Sequence, residues 1–185
     1  MIGILAVQGG FAAHVRALTK LKVKNSLVVS AEQLKECDGL ILPGGESSVM
    51  LKFITENNLF AEIINFSAQG KSIFGTCAGA ILLAKDVINP QQKSLGLVNI
   101  TMQRNAYGRQ LQSHVAMGET TLSSEKQEMV FIRAPKITRI GSNVKILAMY
   151  KEEVVCVAEN NCLLTTFHPE LSPDLFWHKY FVAAI

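Results

Sequence analysis

No two cysteines in this 185-residue chain are spaced as Cys-x-x-Cys. That removes the main support for a zinc ribbon or a thioredoxin-type redox centre. No run of about 18 apolar residues is free of charge, so no membrane-spanning helix is expected. Lys and Arg form no long run. They number 18 against 15 Asp and Glu, a formal charge of only +3. So mild a surplus argues against nucleic acid as the main partner. The first residues lack the basic segment of a secretory signal and read as a buried strand. A cytoplasmic setting is therefore expected, where disulfides are rare. No repeat, linker or low-complexity segment interrupts the chain.

What is present is a composition that folds. Hydrophobic residues make up 49% and charged residues 18%, which argues against a long disordered tract. The length fits a single domain over residues 1–185. The cysteines Cys37, Cys77, Cys156 and Cys162 are first read as small buried apolar residues.

The two halves are patterned differently. In the first, short apolar runs at 2–7, 26–29, 38–42 and 71–74 alternate with helical stripes. These stripes are carried by Val15, Leu18 and Leu21, by Val49, Phe53 and Ile54, and by Phe60, Ile63 and Ile64. A further helix is expected over 80–84. Strands alternating with helices imply crossover connections and a parallel sheet covered on both faces. In the second half, short β-branched runs at 97–103, 112–122, 129–132, 144–150, 154–158 and 163–167 suggest antiparallel strands, one of them returning to the main sheet. Turns are expected at 105–108, 141–143 and 159–161. Ser172-Pro173-Asp174 reads as a helix start, with Ser as N-cap and Pro at the first position. Trp177, Tyr180, Phe181 and Ala184 would be the buried side of that helix. A mixed α/β domain follows.

Gly75-Thr76-Cys77-Ala78-Gly79 comes after an apolar strand and before a helix. It is the Gly-x-nucleophile-x-Gly pattern with Cys in the place of Ser. A tight strand-to-helix turn pushes the nucleophile toward substrate, and flanking glycines avoid clashes there. The helix N-terminus favours the thiolate and offers N–H groups to an oxyanion. The plain alternative is a tight turn with an inert thiol. A nucleophilic thiol needs a base, and His168 stands just after the run 163–167, at the end of parallel strands where such sheets place their sites. Glu170, two residues on, is placed to hold the other ring nitrogen and stabilise the imidazolium.

The remaining histidines attract a plainer reading. His14 and His178 fall on helical segments and are read as surface or satisfied core groups; His114 is left open. His168-Pro169-Glu170 also matches the His-x-Glu of zinc deaminases, but these need a downstream Pro-Cys-x-x-Cys, and no cysteine follows Cys162. No metal or cofactor is expected. Pro43-Gly44-Gly45-Glu46-Ser47-Ser48 closes another strand. Its glycines let backbone approach a ligand and present an N–H to an oxyanion. It lacks the Gly-Lys-Ser/Thr ending of a phosphate loop, and taken alone it is equally a strand-to-helix turn.

With Pro43-Gly44-Gly45-Glu46-Ser47, Gly75-Thr76-Cys77-Ala78-Gly79 and Phe167-His168-Pro169-Glu170 in this order, the sequence resembles the class I, triad-type glutamine amidotransferases. Ala6-Val7-Gln8-Gly9, Gln103-Arg104-Asn105-Ala106-Tyr107-Gly108-Arg109-Gln110 and Phe131-Ile132-Arg133-Ala134-Pro135 narrow it. With these the chain is similar to the glutaminase subunits of pyridoxal 5′-phosphate synthases over nearly its whole length. The resemblance implies a single-domain, mainly parallel sheet flanked by helices, flavodoxin-like in build. It implies hydrolysis of L-glutamine to L-glutamate and ammonia without a cofactor. The ammonia would pass to a separate synthase (lyase) subunit in a hetero-oligomer. It also implies Cys77, His168 and Glu170 as the triad. Gly45, Glu46, Ser47, Arg104, Ile132 and Arg133 fall on glutamine-binding positions, and the Gly45 and Ala78 N–H groups on the oxyanion hole. Glutamine carries both charges at its α-carbon, and Arg104 and Glu46 suit its carboxylate and ammonium. The stretches 112–115 and 171–178 depart from the family's usual pattern, which bears on the partner surface and not on the triad. Two rivals remain: a sister glutaminase feeding another acceptor, and a silent or thiol-sensing module on the same fold. An oriented base beside the thiol speaks against the second.

Overall fold

The computed structural model describes residues 1–106 and 113–185. The apolar runs of the first half form β1 (Ile2–Leu5), β2 (Asn25–Val28), β3 (Gly39–Leu42) and β4 (Ser72–Thr76). Between them run α1 (Phe11–Lys20), α2 (Ala31–Lys35), α3 (Ser47–Glu56) and α4 (Leu59–Ala68). The short α2 carries no periodic stripe. It starts on a capping box instead, with Ser30 and Gln33 satisfying each other's backbone N–H groups.

After β4 comes α5 (Ala78–Leu83), every residue of which is buried. The chain then turns directly into β5 (Ala84–Ile88), so the helix expected over 80–84 starts earlier and Ala84 opens a strand. The remaining elements are β6 (Val98–Gln103), β7 (His114–Thr120), β8 (Ser123–Phe131), β9 (Lys136–Ile140), β10 (Lys145–Tyr150), β11 (Glu153–Glu159), β12 (Cys162–Thr165) and α6 (Phe176–Ala183). Gln112 of the expected strand 112–122, and Tyr107 and Gly108 of the expected turn, lie outside the described residues. So do Tyr107, Gly108, Arg109 and Gln110 of the Arg104 block.

Among the described residues, nine strands form one sheet in the order β2-β1-β3-β4-β12-β11-β10-β7-β8. The first five are mutually parallel and the rest antiparallel. β12 is the returning strand, laid parallel beside β4. β5, β6 and β9 make a separate three-stranded sheet.

The parallel strands are buried on both faces, and their period of two divides the core. Leu40, Leu42, Ile73 and Leu164 point toward α2–α5 and the small sheet. Ile2, Ile4, Ile41, Phe74 and Leu163 point toward α1 and α6, where Leu18, Trp177 and Phe181 meet them.

The start of α6 differs from expectation. Ser172-Pro173-Asp174 is a turn, and the helix begins at Phe176 after Leu175 takes φ 56°. Asp174 Oδ1 accepts from the Phe176 N–H at 2.9 Å. The helix is thus rotated in register. Trp177 and Phe181 are buried as expected, Tyr180 and Ala184 are exposed, and His178 takes a place in the core.

Candidate active site

Parallel strands in register end together, and their ends assemble the site. Leu42 of β3 pairs with Gly75 of β4, and Thr76 with Thr165 of β12. The segments that follow, Pro43-Gly44-Gly45, Cys77 and His168, therefore converge on one edge.

Cys77 sits at φ 47° and ψ −101°, a conformation that side chains rarely adopt. Its neighbours hold it there. The Cys77 N–H donates to Thr165 O at 2.9 Å, and the Gly79 N–H to Pro43 O at 3.1 Å. The glycines are required by space: a Cβ on Gly79 would lie 1.9 Å from Leu42 O. A Cβ on Gly44 would lie 2.4 Å from His168 Cε1, and at Gly9 one would meet Gly44 O at 1.9 Å. Four strand ends, those of β1, β3, β4 and β12, are in backbone contact around the thiol.

His168 Nδ1 and Glu170 Oε1 are 2.7 Å apart. Burial works against the His168 cation, but hydrogen bonding to Cys77 and to Glu170 outweighs it and raises its pKa to about 10. Glu170 is buried on a 3-10 turn, Pro169–Leu171. Burial opposes its charge, yet the opposing pull of His14 and His168 holds its carboxyl below the usual range. The backbone N–H of His168 donates to Val130 O at 2.8 Å, tying the segment after β12 to the end of β8. This brings Ile132 over the thiol, with its carbonyl 4.0 Å from Cys77 Sγ.

These groups line a cavity of about 360 Å³. Its wall includes every residue the sequence assigned to the site except Glu170, which stands behind His168: Gly45, Glu46, Ser47, Cys77, Ala78, Arg104, Ile132, Arg133 and His168. Gln8, Asn105, Ile81 and Pro135 also contribute. Arg104 Nη2 and Glu46 Oε1 form an ion pair at 3.0 Å across its mouth. Glu46 also accepts from Ser48, whose hydroxyl is the main cause of its lowered pKa. The Ser47 hydroxyl is buried and donates to Gln92 Oε1 at 3.0 Å, so Ser47 meets the cavity with its hydroxyl already engaged. Arg133 is exposed, with φ 46°.

The other three cysteines are buried and unpaired. Burial pushes the Cys156 thiol well up, Cys162 to about 11, and Cys37 upward as well. They are buried, as expected of them.

Two residues given a plain reading stand close to Glu170. His14 and His178 are both fully buried, and they are joined at 2.9 Å between Nδ1 and Nε2. His14 Nε2 is 3.5 Å from Glu170 Oε2. The signal in the sequence was a polar residue at an apolar-face position of each helix, which spacing alone does not tie to Glu170.

A thiol on a strained elbow, an imidazole aligned by a carboxylate, and a charged pair at the mouth stand together at the strand ends of an α/β sheet, the arrangement in which class I glutamine amidotransferases are recognised. The chain belongs to the SNO glutamine amidotransferase family, whose model matches residues 4–185. It is a glutaminase, taking ammonia from the side chain of glutamine. Among its relatives is the pyridoxal 5′-phosphate synthase subunit PdxT of Thermotoga petrophila, 46% identical over 100% of this chain and 98% of that one. The PdxT of Solibacter usitatus is 44% identical over 100% of this chain and 98% of its own. A crystal structure of a glutamine amidotransferase superposes with a TM-score of 0.93 at 38% identity, covering 99% of this chain and 97% of the other. Among the described residues, no helix is long and apolar enough to cross a membrane.

Proposed function

We propose that this chain is the glutaminase subunit of a pyridoxal 5′-phosphate synthase, a single domain over residues 1–185 that acts in the cytoplasm and docks on a separate synthase (lyase) subunit. Cys77, His168 and Glu170 act as nucleophile, base and orienter. The observation that carries this reading is the Cys77 elbow facing the His168–Glu170 pair inside a cavity mouthed by Arg104 and Glu46. The names of the full-length relatives supply the synthase.

In the reaction, Cys77 Sγ attacks the γ-carboxamide carbon, and the negative charge moves to the carbonyl oxygen. The tetrahedral intermediate collapses, the C–N bond breaks, and His168 gives its proton to the leaving nitrogen. Ammonia departs and a γ-glutamyl thioester remains. Water, deprotonated by His168, then attacks the thioester and releases glutamate and the thiolate. Glu170 fixes the tautomer and stabilises the imidazolium throughout.

The oxyanion is met by the N–H groups of Ala78 and Gly45. Ala78 opens α5, where an N–H has no acceptor within the helix. Gly44 O accepts from the Gly10 N–H at 2.9 Å. A planar trans peptide then directs the Gly45 N–H to the opposite side. The glycine pair lets this peptide rotate at little steric cost, and a carbonyl turned toward the oxyanion would remove a donor worth about 10²–10³ in turnover. Docking of the synthase subunit holds the peptide in the orientation that the Gly10 N–H favours. Arg104 and Glu46 take the α-carboxylate and α-ammonium of glutamine, with Ser47, Ile132 and Arg133 completing the pocket.

The test is glutamate release with and without the synthase subunit, together with labelling by a glutamine-like electrophile. Activity is expected to rise with the partner, label to reach Cys77 and spare Cys37, Cys156 and Cys162, and Cys77→Ala to be inactive while still binding the partner. Equal labelling of all four thiols would remove the nucleophile assignment. Full activity of the isolated chain would remove the gating and leave the triad.

A further inference from the structure

The triad uses only one oxygen of Glu170. Oε1 meets His168 at 2.7 Å. Oε2 is buried and, among the described residues, has no partner at hydrogen-bonding distance and angle. The polar atom facing it is His14 Nε2 at 3.5 Å, which also lies 3.3 Å from Thr76 Oγ1. Behind His14 stands His178, joined through His14 Nδ1 at 2.9 Å. Neither ring has any exposed surface. The edge of Phe74 packs on His178 at 5.9 Å between centroids.

We propose that His14 and His178 are positioning residues for the glutaminase reaction: a neutral two-imidazole relay, each ring protonated at Nε2, that presents one N–H to the second oxygen of Glu170. The inference rests on the reading of Cys77, His168 and Glu170 as the triad.

Two arguments fix the tautomers. With His14 protonated at Nε2, its N–H dipole points toward the carboxylate and Thr76, and its Nδ1 accepts from His178 Nε2–H. The reverse arrangement turns a lone pair toward a carboxylate 3.5 Å away in a dry site, where the repulsion is strong. It also places a proton on His178 Nδ1, which among the described residues has no partner. An orphaned buried donor carries the full desolvation penalty, and orphaned donors are rarer than under-used acceptors. Both arguments select the same pair of tautomers. The relay stays uncharged because burial lowers both pKa values, that of His178 to about 3. A cationic His14 would compete with His168 for the same carboxylate. A neutral one supports that carboxylate and leaves the single positive charge where the leaving group needs it.

The groups that face Glu170 are His168 on its own turn and His14 from α1; His178 of α6 faces His14. Losing the His14 N–H would destabilise the carboxylate, so Glu170 would protonate at higher pH.

The test has two arms. The ring nitrogens of the ¹⁵N-histidine-labelled full chain are read by NMR at pH 7.5. His14 and His178 should both be neutral with the proton on Nε2; a proton on Nδ1 of either, or an imidazolium, overturns the relay. In the second arm glutamate release is measured with the synthase subunit present. His14→Leu should lower kcat about 10- to 100-fold, the scale of a catalytic group slightly misplaced, with the glutamine KM unchanged within about twofold. It should move the acid limb of the kcat profile upward. His14→Gln, which keeps an N–H donor, should recover most of the loss. Equal losses in the two variants, or an unmoved acid limb, overturn the proposal, and the first arm decides if His14→Leu does not fold. Cys77→Ala is run alongside. If it is active, the triad reading fails; if it is dead while His14→Leu behaves as the parent, only the relay fails.

Discussion

Cys77 at φ 47° is strained by about 1–3 kcal/mol, the range for a side chain held in a sparsely populated backbone region. Such strain persists only where neighbours over-determine it, and here the decisive neighbour is Gly79. A methyl at that position would sit 1.9 Å from Leu42 O and 2.6 Å from Leu42 C, both backbone atoms of a central strand that cannot step aside. Gly79→Ala should therefore destabilise the fold by about 3 kcal/mol, the upper range for forcing one methyl into a packed interior, and lower activity with it. Gly70→Ala is the control. Its Cβ would meet nothing within 4 Å, so only the positive φ of 82° opposes it, a cost of about 1–2 kcal/mol. Urea unfolding of the three proteins reads the difference. A Gly79→Ala protein no less stable than Gly70→Ala would mean that β3 can move away from the elbow.

At the scale of elements, the site depends on how the β3–α3 turn is held. Its carbonyl at Gly44 is anchored by the Gly10 N–H, and the Glu46 N–H donates to Gln8 Oε1 at 2.8 Å. Both anchors come from the turn after β1, so that segment sets the geometry of the Gly44–Gly45 peptide. Gln8→Ala removes one of them without touching the triad. Partner-stimulated glutamate release should fall by about 10- to 100-fold, the scale of a misplaced catalytic donor, and Gln8→Glu, which keeps the acceptor, should lie nearer the parent. Parent activity in Gln8→Ala would leave Gly10 as the sole anchor. Legibility in the sequence follows the same division. The Gly-x-Cys-x-Gly elbow, the Gly44-Gly45 turn and His168-Pro169-Glu170 are contiguous motifs at strand ends, and each is found where the alternation of strands and helices put it. The edge strand β8 was legible only in part, because its first residues, Ser123-Ser124-Glu125-Lys126, are polar as sheet edges tend to be. The short β9 and α2 bury one face of very few residues, too few for a period to register. The start of α6 was misplaced because Ser172-Pro173-Asp174 satisfies turn and helix-start chemistry equally well. The link from His14 and His178 to Glu170 joins α1, α6 and the turn after β12, and no local pattern carries it.

For the whole molecule, these ionisable groups shape stability against pH, and their signs differ. His178 has its folded pKa lowered from 6.5 to about 3, and His14 is lowered too. Between those values the unfolded chain binds a proton that folded His178 refuses, so its contribution is present above pH 6.5 and is lost as pH falls, and His14 acts in the same direction. Glu170 is also depressed, so its contribution is present above its unfolded value of 4.5 and declines below it. His168 runs the other way. Its folded pKa is raised to about 10, so its contribution is complete below pH 6.5 and is lost as pH climbs toward 10. Together these four groups give a dome with its top near pH 6.5. On the acid side His178 contributes a slope of roughly 1 kcal/mol per pH unit, and His14 adds to it in the same direction. Urea unfolding from pH 4.5 to 9, at constant ionic strength, should trace this dome. His178→Phe should be less stable than the parent at pH 7 and lose stability more slowly on acidification, because one proton-refusing group is gone. His168→Gln should flatten the alkaline side and leave the acid side steep. A parent protein equally stable at pH 5 and pH 6.5 would contradict the burial of two neutral imidazoles behind Glu170. An alkaline limb that survives His168→Gln would show that another group carries it.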